Sequence, residues 1–207
     1  HLPASLDSIG ASAFIKCSSL TSLCLPDSTA YIGAAAFSTC RGLVSASLGR
    51  CLGEIPESAF NYCTALKTVE IPDSVTSIGG SAFFGCGQLT AVELPDNVRW
   101  IADGAFSRCT SLRYVSIGRY LQSTGELPFD ECTRLDSVRI NQPVPPALHV
   151  SGLTLYARTL EVPVGATVDY AADPYWGEIE CIYALDGTTR KYPVLQPVAE
   201  DGDTLLS

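Results

Sequence analysis

The chain has 207 residues, 46% of them hydrophobic, which is enough to bury a substantial core. Its 13 Lys and Arg against 22 Asp and Glu give a net charge of −9, which opposes a phosphate backbone or an anionic membrane surface and argues against nucleic acid as a partner. No stretch approaches ~18 consecutive apolar residues, so we expect no membrane insertion within this chain.

Phenylalanine and cysteine recur along the chain with one common period. Both advance in steps of 23 residues, and each Cys begins a pattern of the type Cys63-x-x-Leu66-x-x-Val69-x-Ile71. An L-x-x-L-x-L core at a period of ~20–29 residues predicts a leucine-rich repeat, in which each turn adds one short parallel strand. We therefore predict an α/β repeat solenoid, mostly β, with short helical or 3-10 segments. The recurring positions are Phe14, Phe37, Phe60, Phe83, Phe106 and Phe129, with Cys17, Cys40, Cys63, Cys86, Cys109 and Cys132.

Within each strand the alternation of residues places apolar side chains inward and the others on a concave sheet. In the third repeat, for example, Val69 and Ile71 face the core while Thr68 and Glu70 face out. The outward residues of the first turns are small, and variety rises toward the C-terminal half. Tyr and Arg are the residue types that anchor interfaces. The candidate binding residues are Lys67, Glu70, Glu93, Arg113, Tyr114 and Arg139.

A turn and a second extended run follow each strand. Pro72-Asp73-Ser74 suits a turn, and Val75 to Ile78 reads as a second strand. A Ser-Ala-Phe step then predicts a short helical or 3-10 segment. The repeat departs from this pattern at Gly49–Gly53 and at Gly118–Leu127, so we expect the convex side to be irregular at both places.

The repeat register fades after Ile140 and returns at residues 159–163, which predicts a seventh strand. A following helix that carries Tyr170 and Trp176 would cover the apolar end of the solenoid as a C-terminal capping unit. The predicted organisation is six repeats over 1–142, an atypical last repeat and cap over 143–183, and a tail or linker over 184–207. At the other end, either further repeats precede His1 or upstream residues cap it.

The running pattern resembles the BspA-like branch of bacterial leucine-rich repeats. The resemblance is nearly verbatim over residues 71–86, and it covers residues 2–142 with good fidelity. Residues 159–176 are similar to the terminal unit of the same family. The resemblance implies a cell-surface protein of the Bacteroidetes type, linked to adhesion to host proteins or to other cells.

The cysteine column has three interpretations: metal ligands, disulfides or core thiols. One ligand per turn, at a spacing of ~4.8 Å, cannot close a tetrahedron around zinc. Stacked side chains also keep their Cβ atoms beyond the ~3.5–4.5 Å of a disulfide. We therefore expect a ladder of buried, reduced thiols, with Cys24, Cys51 and Cys181 outside it.

No motif places a nucleophile beside the two histidines, His1 and His149, and no phosphate-binding loop occurs. We therefore expect no catalytic residue, no metal site and no cofactor. The leading prediction is a non-catalytic scaffold, extracellular or on the cell surface, whose signal or lipid anchor lies outside the given sequence. It would bind a protein partner, such as a host matrix protein or another cell surface, as a monomer. The alternatives are a structural spacer attached through residues 184–207, a glycan-binding module, a simple solvated sheet without a partner, and an anchor on another face at Trp100.

Overall fold

The computed structural model describes residues 2–146, 153–185 and 192–193. For residues 154, 155, 192 and 193 the description is limited to the backbone. Within these residues the chain winds as a parallel β-solenoid with two short helices, α1 (Leu153–Tyr156) and α2 (Thr167–Ala172), and a 3-10 helix at Trp176–Glu178. The predicted repeat solenoid is thereby confirmed. The strands are β1 (Ser8–Ile9), β2 (Ser22–Cys24), β3 (Tyr31–Ile32), β4 (Ser45–Ser47), β5 (Glu54–Ile55), β6 (Thr68–Glu70), β7 (Ser77–Ile78), β8 (Ala91–Glu93), β9 (Trp100–Ile101), β10 (Tyr114–Ile117), β11 (Ser123–Thr124), β12 (Ser137–Ile140), β13 (Thr159–Val162), β14 (Cys181–Ala184) and β15 (Tyr192–Pro193).

The predicted concave sheet is a ladder of parallel strands, here called the main ladder, formed by β2, β4, β6, β8, β10, β12, β13 and β14. Its pairing keeps the repeat register, so that Val115 lies opposite Val92 and Val138. The predicted seventh strand is β13, and β14 adds an eighth strand that the sequence analysis missed. Among the described strands the ladder is interrupted once, because β6 and β8 do not pair.

A second ladder of two-residue strands runs along the opposite side and contains β1, β3, β5, β7, β9 and β11. Irregular structure is expected from the sequence at Gly49–Gly53 and Gly118–Leu127, and the second ladder is interrupted at the first of these places, between β3 and β5. Regular strands nevertheless follow at both places, where β5 pairs with β7 and β11 pairs with β9 in register. The reason is that Leu52 lies one repeat before Val75 and Leu121 lies two repeats after it, and both leucines are buried in the same column. The core therefore continues through turns whose surface sequence differs.

The phenylalanine column is a continuous stack of rings at one corner of the solenoid. Successive ring centroids lie 5.1–5.5 Å apart with interplanar angles of 2–7°. Five of the six rings are fully buried, and Phe14 at the N-terminal end is half-buried. The column fills the space between the two ladders, as expected for a packing device.

The corner that carries these rings is built from β-turns, not from the short helical segment that the sequence predicts. The residues two before and two after each Phe have a positive φ of 50–70°, as at Ser58 and Tyr62 around Phe60. Alternate backbone N–H groups donate to the next turn, as Phe60 N does to Ala82 O at 2.8 Å. A helix would direct these donors within its own turn. Hydrogen bonds between turns offset the ~1–2 kcal/mol cost of each left-handed residue.

The cysteine ladder is buried at five of its six positions. The exception is Cys17, which is exposed at the N-terminal end and corrects the expectation for that residue. All nine cysteines are free thiols. Burial raises the pKa of the Cys63 and Cys132 thiols to about 12. These groups therefore stay protonated at neutral pH and take no part in thiolate chemistry.

The predicted capping aromatics lie in the segment that connects β13 to β14. Tyr170 and Trp176 are fully buried and meet edge to face at 6.2 Å. The Tyr170 hydroxyl donates to the carbonyl of Gln142 at 3.1 Å, and Trp176 Nε1 donates to that of Pro146 at 3.4 Å. The two side chains thus anchor this segment to residues 142–146. Beyond it, β15 pairs antiparallel with β14, while His149 and most of the predicted tail lie outside the described residues.

Candidate binding surface

All six candidate residues lie on the main ladder or at the residue that precedes one of its strands. Lys67 and Arg113 come directly before β6 and β10, and both side chains are exposed. Because parallel strands bring equivalent positions together, the six residues share one side of the solenoid. The others are Glu70 at the end of β6, Glu93 at the end of β8, Tyr114 at the beginning of β10 and Arg139 within β12.

Three side chains on this face form a connected group, which we call the Arg139 cluster: Tyr114, Arg139 and Glu161. Arg139 donates through Nε to Glu161 Oε2 at 2.7 Å and approaches the same oxygen through a terminal nitrogen at 2.6 Å. Its guanidinium carbon lies 5.8 Å from the centre of the Tyr114 ring. An ion pair and a cation–π contact therefore hold one arginine in place on the exposed side of the sheet.

The Arg139 cluster is half-buried, as are its neighbours on β12, β13 and β14, whereas the outward residues of β2, β6 and β8 are exposed. The side chains of Arg139 and Glu161 are 40% and 32% exposed. The hydrogen bond that Arg139 donates to Glu161 raises the pKa of Arg139, and the charge of Glu93 acts in the same direction. The sequence analysis did not include Glu161, although it pairs directly with Arg139 in the strand register, 22 residues later.

The remaining candidates are not brought into this cluster. Glu70 lies on the other side of the interruption between β6 and β8, next to Glu93 in the column. Within residues 2–146 and 153–185, neither Lys67 nor Arg113 forms a salt bridge. At β6, β8 and β10 the basic side chains therefore precede the strands and the acidic side chains end them, whereas at β12 the order is reversed, with Asp136 before the strand and Arg139 within it.

The described part of the chain offers little for other chemistry. No three His, Cys, Asp or Glu side chains within it converge as metal ligands. None of its helices combines the length and apolar character needed to cross a bilayer.

The 23-residue turns match the family described as BspA type leucine rich repeat region, in six copies, over residues 1–90 and 53–146. The chain belongs to this family. BspA-type repeats are typically non-catalytic scaffolds of the protein-interaction type, and the chain is accordingly a leucine-rich repeat scaffold.

Two solved structures of bacterial proteins are similar to this fold with TM-scores above 0.5. The T. pallidum leucine rich repeat protein is 29% identical with a TM-score of 0.64, over 78% of this chain and 71% of that one. The pneumococcal vaccine antigen PcpA is 20% identical with a TM-score of 0.56, over 72% of this chain and 37% of that one. A leucine rich cell surface protein from Faecalibacterium prausnitzii is 23% identical with a TM-score of 0.42, over 67% and 52%. No curated protein matches the chain significantly.

Proposed function

We propose that this BspA-type chain is a non-catalytic adhesion module, located on a bacterial surface or outside the cell, that binds a protein through the main ladder. The observation that carries the proposal is the Arg139 cluster. Arginine and tyrosine are the side chains that most often supply binding energy at protein interfaces, and they do so best where they are held and partly desolvated. Tyr114 and Arg139 are both half-buried and in mutual contact.

The charge pattern at β6, β8 and β10 supports a partner with complementary charges. Lys67 and Arg113, which form no salt bridge among the described residues, offer cations before the strands, whereas Glu70 and Glu93 offer carboxylates at the strand ends. Such a pattern fixes the orientation of a partner and accelerates its association more than it raises affinity. The partner class that fits is a folded or extended protein of the host matrix or of another cell, and a surface of the Bacteroidetes type is the location that the sequence resemblance implies.

The test is binding of the purified chain to a panel of immobilised host matrix proteins. For a panel member that binds, we expect Tyr114→Ala and Arg139→Ala each to weaken binding by at least about tenfold, since central anchors lose more than ~1.4 kcal/mol on truncation. If neither substitution weakens binding, this surface is refuted as the site.

A matched control exists elsewhere on the solenoid. Arg108 also pairs with a glutamate of the next turn, Glu131 at 3.1 Å, and stacks over an aromatic ring, Phe84 at 5.4 Å, but it lies at the phenylalanine corner. Arg108→Ala should leave binding unchanged. If no member of the panel binds, the alternative function as a spacer is favoured.

A further inference from the structure

A recess of about 330 Å³ lies outside the main ladder, at the turn that leads from β10 to β11. Arg119, Tyr120 and Gln122 come from this turn, and Arg99 comes from the equivalent turn one repeat earlier. Gln142 and Val144 close the side that faces the C-terminal end. No carboxylate is among the described residues that line it, in a chain whose net charge is −9.

The recess is held in place by its surroundings. Asp96 accepts the backbone N–H of Arg119 at 3.1 Å and lies 3.5 Å from its Nε, which fixes the turn from outside the lining. The Gln142 amide donates to the carbonyl of Leu121 at 2.9 Å, and Leu121 is buried beneath. The turn that carries Arg119 and the Gln142 side chain are therefore held in place.

Two exposed apolar groups stand at its rim. Tyr120 is 54% exposed and Val144 is 66% exposed. Within the described part of the chain, Arg99 forms no salt bridge. Arg99, Arg119, Tyr120 and Gln122 therefore line one recess, in which Arg119 is paired with Asp96.

The same turn occurs three repeats earlier without these features, so they are not required by the fold. Arg50 replaces Arg119 there and pairs with Asp27 in the same way. The other equivalent positions, 69 residues earlier, are occupied by Ala30, Cys51, Gly53 and Asp73 in place of Arg99, Tyr120, Gln122 and Gln142. The cationic and aromatic lining is therefore specific to this turn.

We propose that the recess binds a carboxylate carried on a sugar ring, as in a uronic or sialic acid unit of a glycan. An arginine side chain suits a carboxylate in charge and hydrogen-bond geometry, and Arg99 and Arg119 both line the recess. The Tyr120 ring offers a face for the sugar, and the Gln122 amide offers both a donor and an acceptor for hydroxyl groups. The recess is shallow and open to solvent, so it suits one ring and leaves the rest of a glycan outside. This site lies away from the Arg139 cluster, so its test is independent of the proposed protein-binding function.

The experiment titrates the whole chain with sodium glucuronate, with glucose as the neutral match and acetate as the carboxylate without a ring, followed by calorimetry or NMR. We expect saturable 1:1 binding of glucuronate with a Kd on the order of 1 mM, and binding of glucose and acetate at least about tenfold weaker. Failure of glucuronate to saturate at ~50 mM overturns the proposal. Acetate binding as strongly as glucuronate would overturn the sugar assignment and favour any carboxylate, including that of a peptide.

Variants locate the binding. Arg99→Ala and Arg119→Ala should each weaken glucuronate by at least about fivefold, and Tyr120→Ala should weaken glucuronate while leaving acetate unchanged. Arg50→Ala is the matched control, because it removes the same ion pair from a turn that lacks the rest of the lining. Equal effects of Arg50→Ala and Arg119→Ala would place the effect outside the recess and overturn the proposal. Unchanged unfolding curves for these exposed substitutions show that each variant is folded.

Discussion

The thiol of Cys63 donates a hydrogen bond to the carbonyl oxygen of Phe37, 26 residues earlier, at 3.2 Å. The same oxygen accepts the backbone N–H of Cys40 at 3.3 Å, so the thiol fills the second acceptor position of a buried carbonyl. The contact recurs at every buried cysteine of the ladder. The repeat therefore uses a small side chain that is also a donor, which explains why the column is Cys.

We expect Cys63→Ala to destabilise the chain by about 1–3 kcal/mol, because it leaves a small cavity and a carbonyl with one partner fewer. The control is Cys51→Ala, since Cys51 is exposed in a surface turn and should change the free energy of unfolding by less than about 0.5 kcal/mol. Urea unfolding measures both. Equal effects of the two substitutions would contradict a structural role for the thiol hydrogen bond.

Stability should fall as the pH rises above about 9. Burial raises the pKa of Cys63 and Cys132 from 9.0 to about 12 and also raises those of Cys86 and Cys109 well above 9.0. Above pH 9 the unfolded chain releases these protons while the folded chain keeps them, so the unfolded state binds fewer protons and gains stability. The contribution of the Cys63 and Cys132 thiols to the free energy of unfolding is therefore complete below about pH 9 and is lost between about pH 9 and pH 12.

Each thiol contributes up to about 1.4 kcal/mol per pH unit to this loss. Urea unfolding of the wild type and of Cys63→Ala, at about pH 8 and about pH 10.5, isolates one thiol from the Tyr and Lys residues that titrate in the same range. The variant should show the shallower dependence. An identical dependence for both proteins would speak against the buried, protonated thiol.

The reaction of the folded chain with a thiol reagent should distinguish two groups of cysteines. Five are buried and should react only on unfolding, whereas Cys17, Cys24 and Cys51 are exposed and Cys181 is half-buried. We expect three fast groups and one slower group by a colorimetric titration in native buffer, and the full nine in denaturant. Six or more reactive thiols in native buffer would disprove the buried ladder.

Removal of one ring from the phenylalanine stack tests the core. Phe60→Ala should cost about 3–5 kcal/mol, because Phe60 is fully buried between Phe37 and Phe83. Phe14→Ala removes the half-buried ring that contacts only Phe37 in the stack, and it should cost clearly less. Denaturant unfolding measures the free energy of unfolding of both variants. If their m-values are unchanged, the difference between them arises in the folded state.

Glycine at position 49 is required by the close approach of the preceding turn. A Cβ atom on Gly49 would overlap the carbonyl oxygen of Pro26, whereas one on Gly53 meets nothing within 4 Å. Gly49→Ala should therefore destabilise the chain by about 1–3 kcal/mol, and Gly53→Ala should change stability by less than about 0.5 kcal/mol. Thermal unfolding of the pair checks this, and a neutral Gly49→Ala would mean that the turn can move away.

The sequence predicts the features that a repeat records through its core. The 23-residue register identifies the strands, the phenylalanine stack and the buried thiols, because each inward position must hold an apolar residue in every turn. It does not reveal the left-handed corner, since residues such as Ser58 and Tyr62 carry no glycine signal for a positive φ. Their conformation is imposed by hydrogen bonds to the next turn, which only the stacked structure contains.

The surface was less predictable than the core. Tyr114 and Arg139 could be named as outward residues from the alternation alone, but their contact depends on side-chain directions that the pattern does not encode. Glu161 was missed because the register shortens to 22 residues before β13. The recess beside Arg99 was missed for another reason: it is formed by three turns, and each contributes residues that look ordinary within its own repeat.

The interruptions of the two ladders fall at different levels of the solenoid. The main ladder is interrupted between β6 and β8, where the second ladder pairs β5 with β7 and β9 without a gap. The second ladder is interrupted between β3 and β5, where the main ladder pairs β4 with both neighbours. Each interruption therefore lies beside a continuous part of the other ladder. Separation of two neighbouring turns along the axis would therefore break the hydrogen bonds of at least one ladder wherever it occurs between β2 and β11.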